Sequence, residues 1–140
     1  MSGLEITIRG AGVSLLLLAG MHLFLPKRLG WPEDFAKVSP LNRQIFYVHC
    51  FFVCLVVVFM GLGCLVWPQT LMQPTLLGML VCGGLAIFWI IRLFMQFFIY
   101  SDLHWKGKRF ETVAHVCFSG LWSFYAALFS LLWWLQWRAR

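Results

Sequence analysis

Only 11% of the 140 residues are charged and 61% are apolar, against roughly 25% charged in a soluble domain, so the chain lacks the polar residues that a water-facing surface needs. Mean hydropathy of +0.83 points the same way, and the length suits one membrane domain, residues 1–140, with no room for a separate soluble module. The net charge of +6 sits in short connections between apolar spans, which fits an anionic lipid surface and argues against nucleic acid as a partner.

The first apolar span covers residues 10–26. Arg9 followed by Ser14 and four leucines imitates a signal peptide, but the sequence from Met21 to Pro26 has no small-residue cleavage pattern, so a retained helix is expected. His22 falls four residues before Pro26, roughly 6 Å inside that end at the helical rise of 1.5 Å per residue. The second span, 45–67, places His49 at a similar depth. Its small residues Cys50, Cys54, Gly61 and Cys64 share a stripe with Val57, the kind of face on which membrane helices approach closely.

The third span, 75–100, carries the one charge deep in an apolar segment, Arg92. At 100° per residue Gly78, Cys82, Leu85, Trp89, Arg92 and Gln96 form one narrow stripe. Arg92 lies about eight residues, roughly 12 Å, below the span's end, and its long side chain can snorkel towards that end. The fourth span, 113–137, repeats the pattern with His115, Ser119, Trp122, Ala126 and Trp133. Crossing ~30 Å of hydrocarbon takes about 17–25 helical residues, and strands are excluded because backbone groups in lipid must be satisfied within the segment. The expectation is an all-α, polytopic integral membrane protein: a four-transmembrane-helix bundle with both termini on one side.

Orientation follows from the basic residues. Lys27, Arg28, Lys37, Arg43, Lys106, Lys108 and Arg109 lie on the side of the two larger connections, against Arg9, Arg138 and Arg140 on the other. The positive-inside rule puts the connections in the cytoplasm and the termini on the non-cytoplasmic side, as in a bacterial inner-membrane protein. All four histidines, His22, His49, His104 and His115, then share the cytoplasmic end. Chance alone does this about one time in eight, if each histidine is a coin toss on topology. Their common location therefore weighs more than any ligand set.

Three chemistries suit that end. Two histidines at similar depth, His49 with His115 or His22, could ligate haem b, with Arg92 near the propionates. A non-haem metal could use His49, His115, His104 and Glu111, with Asp102 nearby, although no specific signature is present. A quinone or anionic lipid-like molecule could be held by Arg92, Gln96 and a histidine. The bland alternatives are interfacial histidines without a ligand and an Arg92 that caps carbonyls or meets a lipid phosphate. The five cysteines all lie in apolar spans without a Cys-x-x-Cys pair, which suits packing and disfavours thiol–disulfide exchange. No carboxylate lies in mid-membrane, which disfavours a proton-coupled antiporter. Without a glycine-rich phosphate loop or a nucleophile elbow, a nucleotide-driven machine or hydrolase is not expected.

The reading is therefore a small membrane redox subunit binding haem, metal or quinone through His22, His49, His115, Arg92 and Gln96. The alternative is an accessory or assembly subunit docking against other membrane subunits or its own copies; a lipid- or quinone-modifying enzyme ranks third. The haem version predicts a Soret band in the purified protein that His49→Ala or His115→Ala removes. A colourless, metal-free protein that co-purifies with a larger complex favours the accessory version.

Overall fold

The computed structural model describes residues 2–100 and 107–140, and every regular element among them is helical. These are α1 (Gly3–Met21), α2 (Leu25–Arg28), α3 (Trp31–Asp34), a 3-10 turn (Phe35–Lys37), α4 (Pro40–Val66), α5 (Pro68–Met72), α6 (Leu76–Phe98) and α7 (Arg109–Arg138). Four of them, α1, α4, α6 and α7, are long and apolar enough to cross a membrane. Each of the four expected spans coincides with one of these helices.

Their ends differ from expectation for identifiable reasons. Helix α1 starts at Gly3 rather than residue 10, because Ser2 accepts a hydrogen bond from the Glu5 backbone N–H at 3.2 Å. Ser2 and Glu5 have the Ser-x-x-Glu spacing of a helix start. It stops at Met21 because Pro26 has no N–H to bond the His22 carbonyl and its ring would crowd that group. Pro26 instead sits in the first turn of α2, where no such bond is needed. Gly30, at φ +66°, turns the chain from α2 into α3 in a conformation that side chains disfavour. Helix α4 begins at Pro40 rather than 45, with Ser39 as its cap and proline in the first position. Helix α7 begins four residues before the expected 113.

The chain divides into two compact units, Met1–Pro68 and Gln69–Arg140. In the first, α1 packs antiparallel against α4, and Ile8, Ala11, Leu15, Leu18 and Ala19 form its buried face. A Cβ on Gly12 would stand 2.8 Å from the Gly61 carbonyl oxygen and 2.8 Å from Leu65, so the backbones meet at van der Waals distance there. At one end Arg9 donates to the Leu65 carbonyl at 2.6 Å and, through Nε and Nη2, to Glu5. Arginine at the last carbonyls of α4 satisfies a group the helix leaves open and complements its dipole. Beside the start of α4, Trp31 and Phe35 pack on Phe46, with ring centroids 4.9 and 4.5 Å apart.

In the second unit α6 and α7 run antiparallel. The expected α6 stripe is observed: Gly78, Cys82, Trp89 and Gln96 are buried, with Ala86, while Leu85 and Arg92 are half-buried on its flank. The α7 stripe holds at Trp122 and Ala126 but then passes through Phe129, Leu132 and Gln136. Trp133, expected inside, is 40% exposed. It lies across Gly83, where a Cβ would come within 2.9 Å of the indole, so it closes the edge of the interface instead.

These close approaches generate a paired prediction. Gly12→Ala forces its methyl against backbone and lowers stability by about 1–3 kcal/mol. Gly20→Ala, in the same helix with no atom within 4 Å of the new Cβ, leaves it unchanged or slightly raised. Unfolding midpoints of the two variants in detergent micelles check this.

Candidate functional site

A polar cluster in an apolar helix pair must satisfy itself, because neither lipid nor hydrocarbon side chains accept hydrogen bonds. In the second unit it does so around Gln96, whose side chain is buried between α6 and α7. One turn earlier on α6, Arg92 donates from Nη1 to the Gln96 Oε1 at 3.1 Å. From α7, Trp122 donates its Nε1–H to the same oxygen at 3.3 Å. The amide nitrogen of Gln96 lies 2.8 Å from Nδ1 of His115. Three of the residues singled out from the sequence, Arg92, Gln96 and His115, are thus brought together, and Trp122 joins them.

Aromatic rings wall this cluster. The Arg92 guanidinium carbon stands 4.8 Å from the Trp122 ring centre and 5.7 Å from that of Tyr100, a cation–π arrangement that partly compensates a desolvated cation. The Tyr100 contact shows that Arg92 reaches towards the C-terminal end of α6, as snorkelling predicts. Trp89 stacks on Trp122 at 5.2 Å and Tyr125 leans against Trp89 at 4.6 Å, while Phe118 stacks on the Trp122 ring at 5.5 Å. No carboxylate among the described residues pairs with Arg92. The Nε1–H of Trp89, a residue only 2% exposed, has no acceptor. Leaving a buried donor unmatched costs about 1–3 kcal/mol. The site is therefore rich in donors and poor in acceptors.

Of the other expected site residues, His22 ends α1, His49 lies on α4 and Glu111 lies on α7, one turn before His115. His22 does not sit inside a span but caps α1, where its Nδ1 lies 2.8 Å from the Leu18 carbonyl. The carbonyl can only accept, so Nδ1 is the donor. His49 is exposed on α4, about three turns from its start. Both belong to the first unit. Glu111 occupies the first turn of α7, where a carboxylate favours the helix dipole. His104 lies outside the described residues, as does Asp102. Among the described residues, no three His, Cys, Asp or Glu side chains are grouped as a metal site would need.

A second buried amide, not anticipated from the sequence, holds the opposite end of the same helix pair. Gln136 donates from Nε2 to the Leu71 carbonyl at 2.8 Å and to the Cys82 sulfur at 3.3 Å. Cys82 in turn donates to the same carbonyl at 3.4 Å. The Gln136 Oε1 lies 2.8 Å from where a Cβ on Gly78 would be, and the Thr70 carbonyl 2.9 Å from it, so that position holds glycine. This contact ties α5 to α7, and Cys82 packs as expected of a buried cysteine.

Comparison with protein-family models, curated proteins and solved structures gives no match. The reading of this chain therefore stands on its own residues.

Gln96→Leu keeps the volume but strips the oxygen that two donors share. It leaves Arg92 and Trp122 without their acceptor and is expected to destabilise the protein by about 1–3 kcal/mol. Thermal unfolding of the variant in lipid nanodiscs, read through tryptophan fluorescence, measures it. Gln96→Glu, which retains the acceptor, recovers most of the loss.

Proposed function

We propose that this protein is a small integral membrane redox subunit that binds a quinone headgroup against Arg92, with Gln96, His115 and Trp122 fixing the geometry. The observation that carries the reading is the Arg92 guanidinium itself. It is held by a neutral amide and two aromatic rings, and no carboxylate among the described residues neutralises it. A cation in an apolar helix costs some +2.5 to +3.5 kcal/mol to insert, and a ligand carbonyl accepting from its remaining N–H groups offsets part of that. Flat rings at Trp89, Trp122 and Phe118 suit a flat apolar ligand. Arg92 stays half-exposed, which leaves it open to a headgroup.

Quinone is favoured over haem and over a metal ion at this site because His115 faces the Gln96 amide through Nδ1, while His49 is exposed on α4. In this reading the chain holds the quinone and a partner subunit carries the other redox centre. The excess of Lys and Arg in the connections supports a cytoplasmic location for this end of the helices, with both termini on the other face of a bacterial inner membrane. The accessory-subunit reading draws support from α4, of whose residues only Val57, Gly61 and Cys64 are buried. That reading leaves the Arg92 cluster without a ligand.

Short-chain ubiquinone and menaquinone analogues titrated into the protein in nanodiscs are expected to quench its tryptophan emission saturably. Arg92→Leu is expected to weaken binding at least about tenfold, the loss of one charge-assisted hydrogen bond. Arg138→Leu, whose guanidinium rests on Trp134, is expected to bind like the parent. Absence of saturable quenching with either headgroup overturns the proposal, and an anionic phospholipid that protects Arg92 while quinones do not moves the site to a lipid phosphate.

A further inference from the structure

The three contacts of the Gln96 amide are not independent. Arg92 Nη1 and Trp122 Nε1 can only donate, since neither an arginine nor an indole nitrogen offers a lone pair. Both point at one end of the amide, at 3.1 and 3.3 Å. That end must be the oxygen: turning the amide over would set its NH2 group against two donors and lose both bonds. The NH2 group is therefore the end that lies 2.8 Å from His115 Nδ1. An amide NH2 donates, so Nδ1 accepts, and the proton of a neutral imidazole is left on Nε2. Two residues that never touch the imidazole's nitrogen thus decide which nitrogen carries its proton.

We infer that Arg92 and Trp122 lock the Gln96 amide, and that the amide holds neutral His115 as the Nε2–H tautomer, so His115 serves as a hydrogen-bond donor and not as a metal or haem ligand. Trp122 is accordingly a positioning residue, acting on His115 through Gln96. The contrast with His22 is direct. There Nδ1 donates to the Leu18 carbonyl, as the non-ligating nitrogen of a histidine ligand does. As a claim about the class of ligand, an acceptor-bearing ring, the inference rests on the quinone-site reading. As a claim about the proton, it rests on the hydrogen bonds alone.

The test is NMR of the full chain in nanodiscs with 15N-labelled histidine, the His115 signals being assigned by their loss in His115→Gln. The parent is expected to show a protonated Nε2 and a bare Nδ1 close to the Gln96 amide protons. Gln96→Glu replaces the donor with a group that only accepts, so a proton is expected to appear on Nδ1. A parent protein with the proton on Nδ1 overturns the lock, and so does a Gln96→Glu spectrum in which Nδ1 stays bare. The parent spectrum decides the matter even if that variant does not fold. Two additions separate the lock from the functional reading. Zinc chloride is expected to leave the His115 nitrogens unshifted, and zinc coordination at Nε2 overturns the lock. A short-chain quinone is expected to shift them; if it does not while the tautomer is as stated, the quinone reading falls and the lock stands.

Discussion

Burying a guanidinium among apolar helices demands acceptors that do not themselves carry a large desolvation cost. Here the acceptor is an amide oxygen, shared between Arg92 from the same helix and Trp122 from the next. A carboxylate in that place would attract the cation more strongly, but it would be a second ion to desolvate. The amide also has a donor end, which a carboxylate lacks, and this end extends the network to His115. Packing follows the same point. Trp122 must lie where its N–H meets Gln96, and the stack with Trp89 and Phe118 is built on its ring.

The helix pair uses this device twice. Gln96 near one end and Gln136 near the other both lie in the α6/α7 interface, yet their tasks differ. Gln136 holds a backbone carbonyl of α5 and a cysteine sulfur, which is a fastening. Gln96 holds an arginine, an indole and an imidazole, side chains that can also address a ligand. The first unit solves its polar problem with charge: Glu5, Arg9 and the Leu65 carbonyl form one chain of contacts. Amide fastenings are indifferent to salt, whereas an ion pair is screened wherever water reaches it, as at the half-exposed Arg9.

Hydrophobic spacing made the class, the number of spans and the inward faces legible, including the stripe from Gly78 to Gln96. Those properties depend on one helix at a time. The beginnings of α1 and α4 were written in Ser2 with Glu5 and in Ser39 with Pro40, but the charges of Glu5 and Arg9 made the first turns resemble a solvated tail. Partners across the interface were not legible, because they depend on the register between two helices. Trp122 therefore read only as a member of the α7 stripe, and Gln136 gave no signal at all. Among the histidines, helical phase put His115 on the face that meets Gln96, whereas the place of His22 at the end of α1 depends on where that helix stops.

The pairing of Glu5 with Arg9 also bears on hydrophobic matching. Counted from residue 10, where uninterrupted apolar sequence begins, α1 would offer twelve residues to its end at Met21, or about 18 Å. A bilayer core is about 30 Å thick, so a helix of that reach would thin the membrane or tilt its neighbours. With the two charges compensating one another and Arg9 resting on a carbonyl of α4, the 19 residues from Gly3 become usable, about 28 Å in all. In a bilayer-spanning α1 the compensated pair lets the first turns enter the apolar layer, and an uncharged substitution at Glu5 alone would leave Arg9 to draw water and headgroups down to it.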